Sequence, residues 1–315
     1  MQQRTLGSTG LKVSRLGLGT LTWGRDTDEH EARDQLIAFA EAGGTLVDTA
    51  AGYGDGASEE LIATLIGDVV ARDEIVLATK AGIARRRGTR ETDASRGTLL
   101  RTLDASLKRL GVDHVDLWQV HTWVDDTPLE ETLTALDQAV TSGRASYVGV
   151  SNYSGWQTAQ AATWQRAVPG RAVIASTQVE YSLLNRNIEH EVLPASSALG
   201  LGVLPWSPLG RGVLTGKYRT GTPSDSRAAS PHFANFVDIY LGERSRGIVE
   251  AVARAADGLG WSCLEVALTW VRDRPGVTSP IVGARTAAQL RGALGIEELT
   301  LPDEIIEALD DVSGE

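Results

Sequence analysis

Short apolar stretches alternate along the chain with longer stretches of helical periodicity. The first half shows VSRLGLGT then 27–42, TLVDTA then 58–66, IVLATK then 95–110, and HVDLWQVH then 128–142. The second half shows YVGVSN then 154–166, ASTQVEY then 189–199, GVLPWS then helices in 246–272, and SPIVGA then 286–296. A strand followed by a helix is the repeating unit of parallel α/β folds. The pattern therefore predicts eight βα units.

Eight such units suit either a closed (β/α)8 TIM barrel or a long doubly wound sheet, and periodicity does not choose between them. A doubly wound dinucleotide-binding sheet would carry GxGxxG after an early strand. Here Gly17-Leu18-Gly19 supplies two glycines without a third at the required spacing. We therefore expect an α/β TIM barrel in which residues 1–315 form a single domain. The segment 216–245 has no clean periodicity and is expected to be an irregular cofactor or substrate loop.

Composition narrows the classes of function. With 315 residues, 42% of them hydrophobic, the chain is long enough to bury one large core. A formal charge of -11 disfavours binding to nucleic acid or to an anionic membrane. A single cysteine, Cys263, and no paired Cys/His spacing predict neither a disulfide nor a metal site. Without a signal-peptide pattern or an apolar stretch of about 18 residues, we expect a cytoplasmic protein, of open oligomeric state.

Polar side chains stand where several predicted strands end. Asp48 follows TLV, Lys80 follows IVLAT and His121 follows LWQV. Tyr53 lies five residues after Asp48 in the glycine-rich turn AAGYGDG. In a TIM barrel the carboxyl ends of the strands form the face that carries active sites. We therefore expect these four side chains to meet there.

Together the four residues suit carbonyl reduction. A tyrosine, with an ordinary pKa near ~10, is a poor acid at neutral pH, but the Lys80 ammonium favours its phenolate and lowers that pKa. Asp48 would keep Lys80 protonated, and His121 would donate a hydrogen bond to a substrate oxygen or relay its proton. Each residue alone has an ordinary structural explanation, such as a solvated loop charge, so the prediction rests on their conjunction. Another group must supply the hydride.

The chain resembles the aldo-keto reductase family almost from end to end. The resemblance rests on LVDTAAGYG, LATKAG, DLWQVH, TPLEETLTALDQAVTSGRASYVGVSNYS and LPWSPLGRGVLTGKY. The last two segments look like those of bacterial members and, more distantly, of potassium-channel β subunits. The resemblance implies NADP(H)-dependent reduction of a small-molecule carbonyl, with Tyr53 as the general acid assisted by Lys80, Asp48 and His121.

The same resemblance implies a path for the nucleotide. Its members would be Ser151, Asn152 and Gln178 on the nicotinamide carboxamide, Trp206 on the ring, Ser207, Leu209, Gly210, Arg211 and Lys217 on the pyrophosphate, and Gly19, Thr20, Trp23 and Asp48 on the floor. Gly283, Arg285 and Gln289 would hold the adenosine phosphate, with Arg285 on a 2′-phosphate. The chain departs from many relatives in having Gln289 in place of an arginine and Gly292-Ala293 in place of a Glu-Asn pair. These departures bear on the adenine contacts.

Aromatic residues and one basic run are candidates for the substrate pocket. The predicted substrate contacts are Trp23, Tyr53, His121, Trp123 and Phe233, with His232 and Phe236 beside them. The basic run 84–90 follows Lys80 and would attract an anionic substrate or a cofactor phosphate, unless it is only solvated. Two other functions stay open: a nucleotide-binding regulatory module, and a Schiff-base aldolase with Lys80 as its nucleophile.

Overall fold

The computed structural model describes residues 1–86, 89–224, 226–230 and 233–314. In these ranges the strands are β1 (Gln3–Thr5), β2 (Lys12–Ser14), β3 (Gly17–Gly19), β4 (Leu46–Asp48), β5 (Val76–Ala81), β6 (Ile83–Arg86), β7 (Thr89–Thr92), β8 (Val115–Val120), β9 (Ala145–Ser151), β10 (Ile174–Glu180), β11 (Gly202–Trp206) and β12 (Ile281–Val282). The α-helices are α1 (Glu29–Glu41), α2 (Ala57–Leu65), α3 (Arg96–Leu110), α4 (Leu129–Thr141), α5 (Gly155–Ala167), α6 (Val192–Ala198), α7 (Ala234–Asp238), α8 (Glu243–Leu259), α9 (Cys263–Arg272), α10 (Ala287–Leu294) and α11 (Asp303–Ser313).

The predicted TIM barrel is confirmed, and the doubly wound sheet is excluded. Within the described ranges, β3, β4, β5, β8, β9, β10, β11 and β12 pair in this order, and β12 pairs with β3 to close the barrel. All of these pairings are parallel. Closure without a sheet edge gives every strand two hydrogen-bonded neighbours.

The helices pack on the outside of the barrel through apolar stripes. On α3, buried leucines recur every three or four residues and pack in the main core: Leu99, Leu103, Leu107 and Leu110. The helices predicted in 246–272 are α8 and α9, and they are separated because Gly260 ends α8 in the left-handed conformation (φ 69°). Ser262 then caps α9 by accepting a hydrogen bond from the Glu265 N–H.

Four elements were not predicted: the β1–β2 hairpin, the β6–β7 hairpin, α7 and α11. In the first hairpin, Leu6 and Val13 pack with Leu46, Leu117 and Leu204, so they fill the barrel interior near the amino ends of its strands. The second hairpin directly follows the Lys80 strand and contains most of the basic run 84–90. The segment 216–245 contains α7 and a short 3-10 turn at Arg227–Ala229.

Across the described residues, the helices are too short or too polar to cross a membrane.

Candidate active site

The carboxyl ends of the barrel strands open into a cavity of about 850 Å³. Its lining includes most of the residues that the sequence predicted for the cofactor or the reaction: Gly19, Thr20, Asp48, Tyr53, His121, Ser151, Asn152, Gln178, Trp206, Ser207, Leu209, Arg211, Lys217, Phe233, Gly283, Arg285 and Gln289. Lys80 is fully buried beneath this surface. Strands far apart in the sequence therefore deliver their terminal residues to one place.

The centre of the site is a buried ion pair. Lys80 Nζ donates to Asp48 Oδ2 at 2.6 Å, to the Thr49 carbonyl at 2.9 Å and to Tyr53 Oη at 3.4 Å. The other Asp48 oxygen, Oδ1, accepts from Gln178 Nε2 at 2.9 Å. All three N–H groups of the ammonium thus have an acceptor, which is how a buried charge is tolerated.

A strained turn presents Tyr53 to the ion pair. The turn Tyr53–Gly56 has three consecutive left-handed residues after the tyrosine: Gly54 (φ 58°), Asp55 (φ 56°) and Gly56 (φ 104°). Glycine adopts this conformation without steric cost, and aspartate tolerates it better than most residues. The sequence YGDG is therefore suited to a sharp turn that places the phenol above Lys80.

Burial and neighbouring charges together determine the protonation of Lys80 and Tyr53. Burial alone would lower the pKa of Lys80, but the Asp48 carboxylate and Tyr53 outweigh it and raise that pKa above its ordinary value. Burial raises the pKa of Tyr53, and the Lys80 ammonium offsets this only in part. The Lys80 ammonium thus lowers the Tyr53 pKa as expected, but burial outweighs this effect and the net pKa lies above its ordinary value. At neutral pH the site holds a charged ammonium beside a protonated phenol.

His121 lies edge-on to Tyr53, with ring centroids 5.9 Å apart. Burial, together with the positive charges of Lys80 and Arg90, holds the pKa of His121 well below its ordinary value. Its Nδ1 atom is buried and has no hydrogen-bond partner among the described residues. A neutral imidazole of this kind donates one hydrogen bond and is a poor carrier of a second proton.

Asn152 connects the histidine to the predicted nicotinamide platform. Its Nδ2 donates to the His121 carbonyl at 2.9 Å, and its Oδ1 accepts from Trp206 Nε1 at 3.0 Å. Ser151 Oγ donates to the Gln178 carbonyl at 2.9 Å. The residues predicted to hold the carboxamide are thus also joined to one another in the protein.

The loop after β11, which was predicted to contact the pyrophosphate, contains several left-handed residues. Ser207, Gly210, Arg211 and Gly212 have φ values of 52°, 54°, 59° and 93°. Clusters of left-handed residues form concavities in which backbone N–H groups can bind phosphate oxygens. Lys217 lies on the same cavity wall.

Arg211 lines the cavity, but its charge is paired with the Glu180 carboxylate. Its Nε and Nη2 donate to the two Glu180 oxygens at 2.8 and 2.6 Å, and its guanidinium carbon lies 3.9 Å from the centre of the Phe236 ring. Such a bidentate pair is strong and largely neutral. The guanidinium therefore orients the Phe236 ring and is not a spare cation for the pyrophosphate.

Besides Lys80, which lies beneath the surface, three predicted residues do not line the cavity: Trp23, Trp123 and Gly210. The Trp23 side chain is fully buried, and its Nε1 donates to Gln35 at 3.2 Å, so it belongs to the core beside the barrel. Trp123 packs edge-on against neighbouring aromatic rings. Gly210 is buried behind the loop that it helps to turn. His232 lies outside the described residues.

Arg227 is a cavity residue that the sequence did not predict. It lies in the irregular segment, lines the cavity and donates to the Gly283 carbonyl at 3.1 Å. On the same segment, Ser230 Oγ donates to Asp26 Oδ1 at 3.1 Å. These contacts draw the segment across the barrel mouth, and no local sequence pattern indicates them.

Comparison with known proteins gives a consistent result. Residues 15–313 match the model of the aldo/keto reductase family. A protein of Bacillus subtilis named uncharacterized oxidoreductase YrpG is 38% identical, with 99% of this chain and 96% of that protein covered. L-glyceraldehyde 3-phosphate reductase of Escherichia coli O157:H7 is 34% identical, with 98% and 92% covered. A probable voltage-gated potassium channel subunit beta of rice is 35% identical, with 99% and 96% covered.

The low pKa of His121 generates a prediction about stability. Unfolding returns His121 to a pKa near 6.5, so the unfolded chain binds more protons than the folded chain as the pH falls below that value. The contribution of neutral His121 to the free energy of unfolding is fully present above about pH 6.5. Below that pH it is lost at up to about 1.4 kcal/mol per pH unit. We expect the free energy of unfolding of His121→Asn to depend less steeply on pH between pH 6.5 and 5 than that of the parent protein. Urea unfolding at several pH values measures this.

The matched control is His30→Asn, because the His30 side chain is 83% exposed. This variant should retain the pH dependence of the parent protein. Identical slopes for His121→Asn and the parent would show that His121 is not held neutral by the fold.

Proposed function

The chain belongs to the aldo/keto reductase family, and on that basis we propose that it is an NADP(H)-dependent oxidoreductase that reversibly reduces aldehydes or ketones to alcohols. The observation that carries the proposal is the contact of 3.4 Å between the protonated Tyr53 hydroxyl and the Lys80 ammonium at the base of the cavity. An acid held beside a fixed cation, in a cavity open to a small molecule, is suited to protonating a carbonyl oxygen.

The cavity residues fit a nicotinamide dinucleotide. The left-handed loop at 207–212 suits a pyrophosphate, and Lys217, Arg227 and Arg285 line the cavity with positive charge. Gly19 and Gly283 line the same cavity. The Gln289 side chain accepts a hydrogen bond from the Arg285 N–H at 3.0 Å. This bond fixes the backbone of Arg285, at the end of the cavity proposed for the adenosine. When bound, the cofactor supplies hydride from C4 of its nicotinamide.

The protein's own residues donate the proton in one direction and accept it in the other. Tyr53 gives its hydroxyl proton to the carbonyl oxygen as the carbonyl carbon gains hydride, and the phenolate that remains is stabilised by Lys80. Asp48 keeps Lys80 charged throughout. A neutral His121 donates its N–H to the same substrate oxygen and orients it. In the reverse direction the phenolate takes the proton from the alcohol.

The two alternatives have less support. A Schiff-base aldolase needs a neutral lysine nucleophile, whereas Lys80 is fully hydrogen-bonded and its pKa is raised. Borohydride with a carbonyl compound should therefore leave Lys80 unmodified. A regulatory role, suggested by the rice relative's name, does not by itself require the protonated Tyr53 beside Lys80.

We expect Tyr53→Phe to lose nearly all turnover while it binds NADPH as the parent does. The substitution removes one oxygen from a residue whose ring contacts remain, so it removes the acid without opening the site. General acid catalysis contributes typically ~10²–10⁴-fold, and kcat should fall by an amount in that range. Stopped-flow reduction of an aromatic aldehyde and a fluorescence titration measure the two effects. Equal turnover in variant and parent would refute Tyr53 as the acid.

Arg227 and Arg285 are expected to select NADPH over NADH, because only NADPH carries a 2′-phosphate for an arginine to bind. Arg227→Gln and Arg285→Gln should each weaken NADPH binding by about tenfold, which corresponds to about 1.4 kcal/mol, and should leave NADH binding nearly unchanged. Quenching of tryptophan fluorescence, with Trp206 as the expected reporter, measures both affinities. The control is Arg246→Gln on an exposed part of α8. Equal parent affinities for the two nucleotides would retain the reductase and remove the NADP preference.

Arg90 is expected to favour carbonyl substrates that carry an anionic group. It lines the cavity on the hairpin that follows Lys80, and its charge reaches His121. The name of the Escherichia coli relative, L-glyceraldehyde 3-phosphate reductase, indicates an anionic aldehyde for that protein. We expect Arg90→Gln to bind the anionic substrate para-carboxybenzaldehyde about two- to fivefold more weakly, within the range of an exposed ion pair, and to bind uncharged para-methylbenzaldehyde as the parent does. Steady-state kinetics with the two aldehydes measure this, and parallel changes for both would exclude the role.

A further inference from the structure

The relative placement of Tyr53 and Lys80 depends on contacts outside the cavity. Tyr53 is on the turn that leads into α2, whereas Lys80 is on β5. Their contact of 3.4 Å is near the outer limit of a hydrogen bond, so a small shift of α2 relative to β5 would break it. The position of α2 relative to β5 must therefore be fixed by other contacts.

A buried carboxylate on α2 makes the connection. Glu59 is fully buried, and its Oε1 accepts from Thr79 Oγ1 at 2.6 Å, on the residue that immediately precedes Lys80. Its Oε2 accepts from Arg109 Nε of α3 at 2.7 Å. The two oxygens of one side chain thus join the tyrosine's helix to the lysine's strand and to the next helix.

Arg109 also supports the turn directly. A Cβ atom placed on Gly56, the last residue of the turn, would lie 2.8 Å from Arg109 Cδ. The arginine stem therefore packs against the backbone of the turn that bears Tyr53. The glycine is needed there both for its left-handed conformation and for this close approach.

The residue before Glu59 makes a second connection. Ser58 is fully buried, and its Oγ lies 2.8 Å from Thr20 Oγ1 and 3.0 Å from Thr49 Oγ1. Thr20 follows β3, and Thr49 follows Asp48 at the end of β4. The first turn of α2 is thus held by threonine hydroxyls at the ends of two neighbouring strands.

We propose that Glu59, acting through Thr79 and Arg109 and assisted by Ser58, is a positioning residue that holds the Tyr53 hydroxyl within reach of Lys80. The proposal rests on the proposed function, in which Tyr53 is the acid. Burying a carboxylate is costly, and a buried ion pair adds little stability over apolar packing. A role in geometry explains why a charged group occupies this place.

The test is Thr79→Val, which keeps the shape of the side chain and removes the hydroxyl that Glu59 accepts from. Thr132→Val is the matched control, because Thr132 is buried on α4 and its Oγ1 donates to the Ala94 carbonyl at 2.9 Å, away from the cavity. We expect kcat to fall about tenfold in Thr79→Val, less than the ~10²-fold that a 1 Å misplacement costs. The Michaelis constant for para-methylbenzaldehyde and the affinity for NADPH should change less than about twofold. Thr132→Val should keep the parent's kcat.

Two further measurements separate positioning from loss of stability. Thr79→Ser restores the hydroxyl and should restore kcat, and urea unfolding should show that all three variants are folded at the assay temperature. The pKa of Tyr53, followed by NMR of ¹³Cζ-labelled tyrosine and assigned with Tyr53→Phe, should rise in Thr79→Val because the phenol has moved from the Lys80 charge. It should stay constant in Thr132→Val.

The outcomes distinguish this proposal from the proposed function. A kcat loss in Thr79→Val no greater than in Thr132→Val, or no rescue by Thr79→Ser, would overturn the positioning role while leaving the reductase intact. If the parent protein reduced no carbonyl compound, the proposed function would fail, and the NMR measurement would still decide whether Thr79 and Glu59 position Tyr53. An unchanged Tyr53 pKa in Thr79→Val would then overturn it.

Discussion

The buried ion pair of Asp48 and Lys80 is the constraint around which the rest of the site is arranged. Their side chains are 3% and 0% exposed, and taking two such charges out of water costs several kcal/mol per ion. The cost is tolerable only because Gln178 and the Thr49 carbonyl complete the hydrogen bonding. Removing either charge would leave the other uncompensated in the barrel. The geometry of the strand ends is therefore tied to this pair.

The same low-polarity surroundings give each titratable group one protonation state at neutral pH. Lys80 remains charged because a carboxylate is in contact with it, whereas Tyr53 remains protonated because burial outweighs the effect of that ammonium. His121, buried near two cations, remains neutral. The site thus contains an acid, a fixed cation and a neutral donor within one small volume. Different neighbours produce these different states from the same burial.

The distribution of charge in the molecule is uneven. The chain carries a formal charge of -11, yet Asp48 is the one carboxylate among the described residues that line the cavity, and it is paired. Cations on three different segments, Arg90, Lys217 and Arg285, face the same space. The positive cleft attracts small anions, whereas the acidic remainder of the surface repels polyanions. This fits a phosphate-bearing ligand better than a nucleic acid.

Periodicity and glycine placement are local properties, so the amino-acid sequence was enough to predict the eight βα units, the polar residues at the strand ends and the turn that carries Tyr53. The absence of a third glycine after Gly17-Leu18-Gly19 favoured a barrel over a doubly wound sheet. Barrel closure itself depends on which strands pair, and the sequence does not show this. Three features became visible in the folded chain alone: Trp23 belongs to the core, Glu180 neutralises Arg211 and Arg227 reaches the cavity. The fold also makes burial outweigh the effect of Lys80 on the Tyr53 pKa. Ion pairing and desolvation depend on neighbours in space, and a local pattern contains no information about residues that the fold brings together.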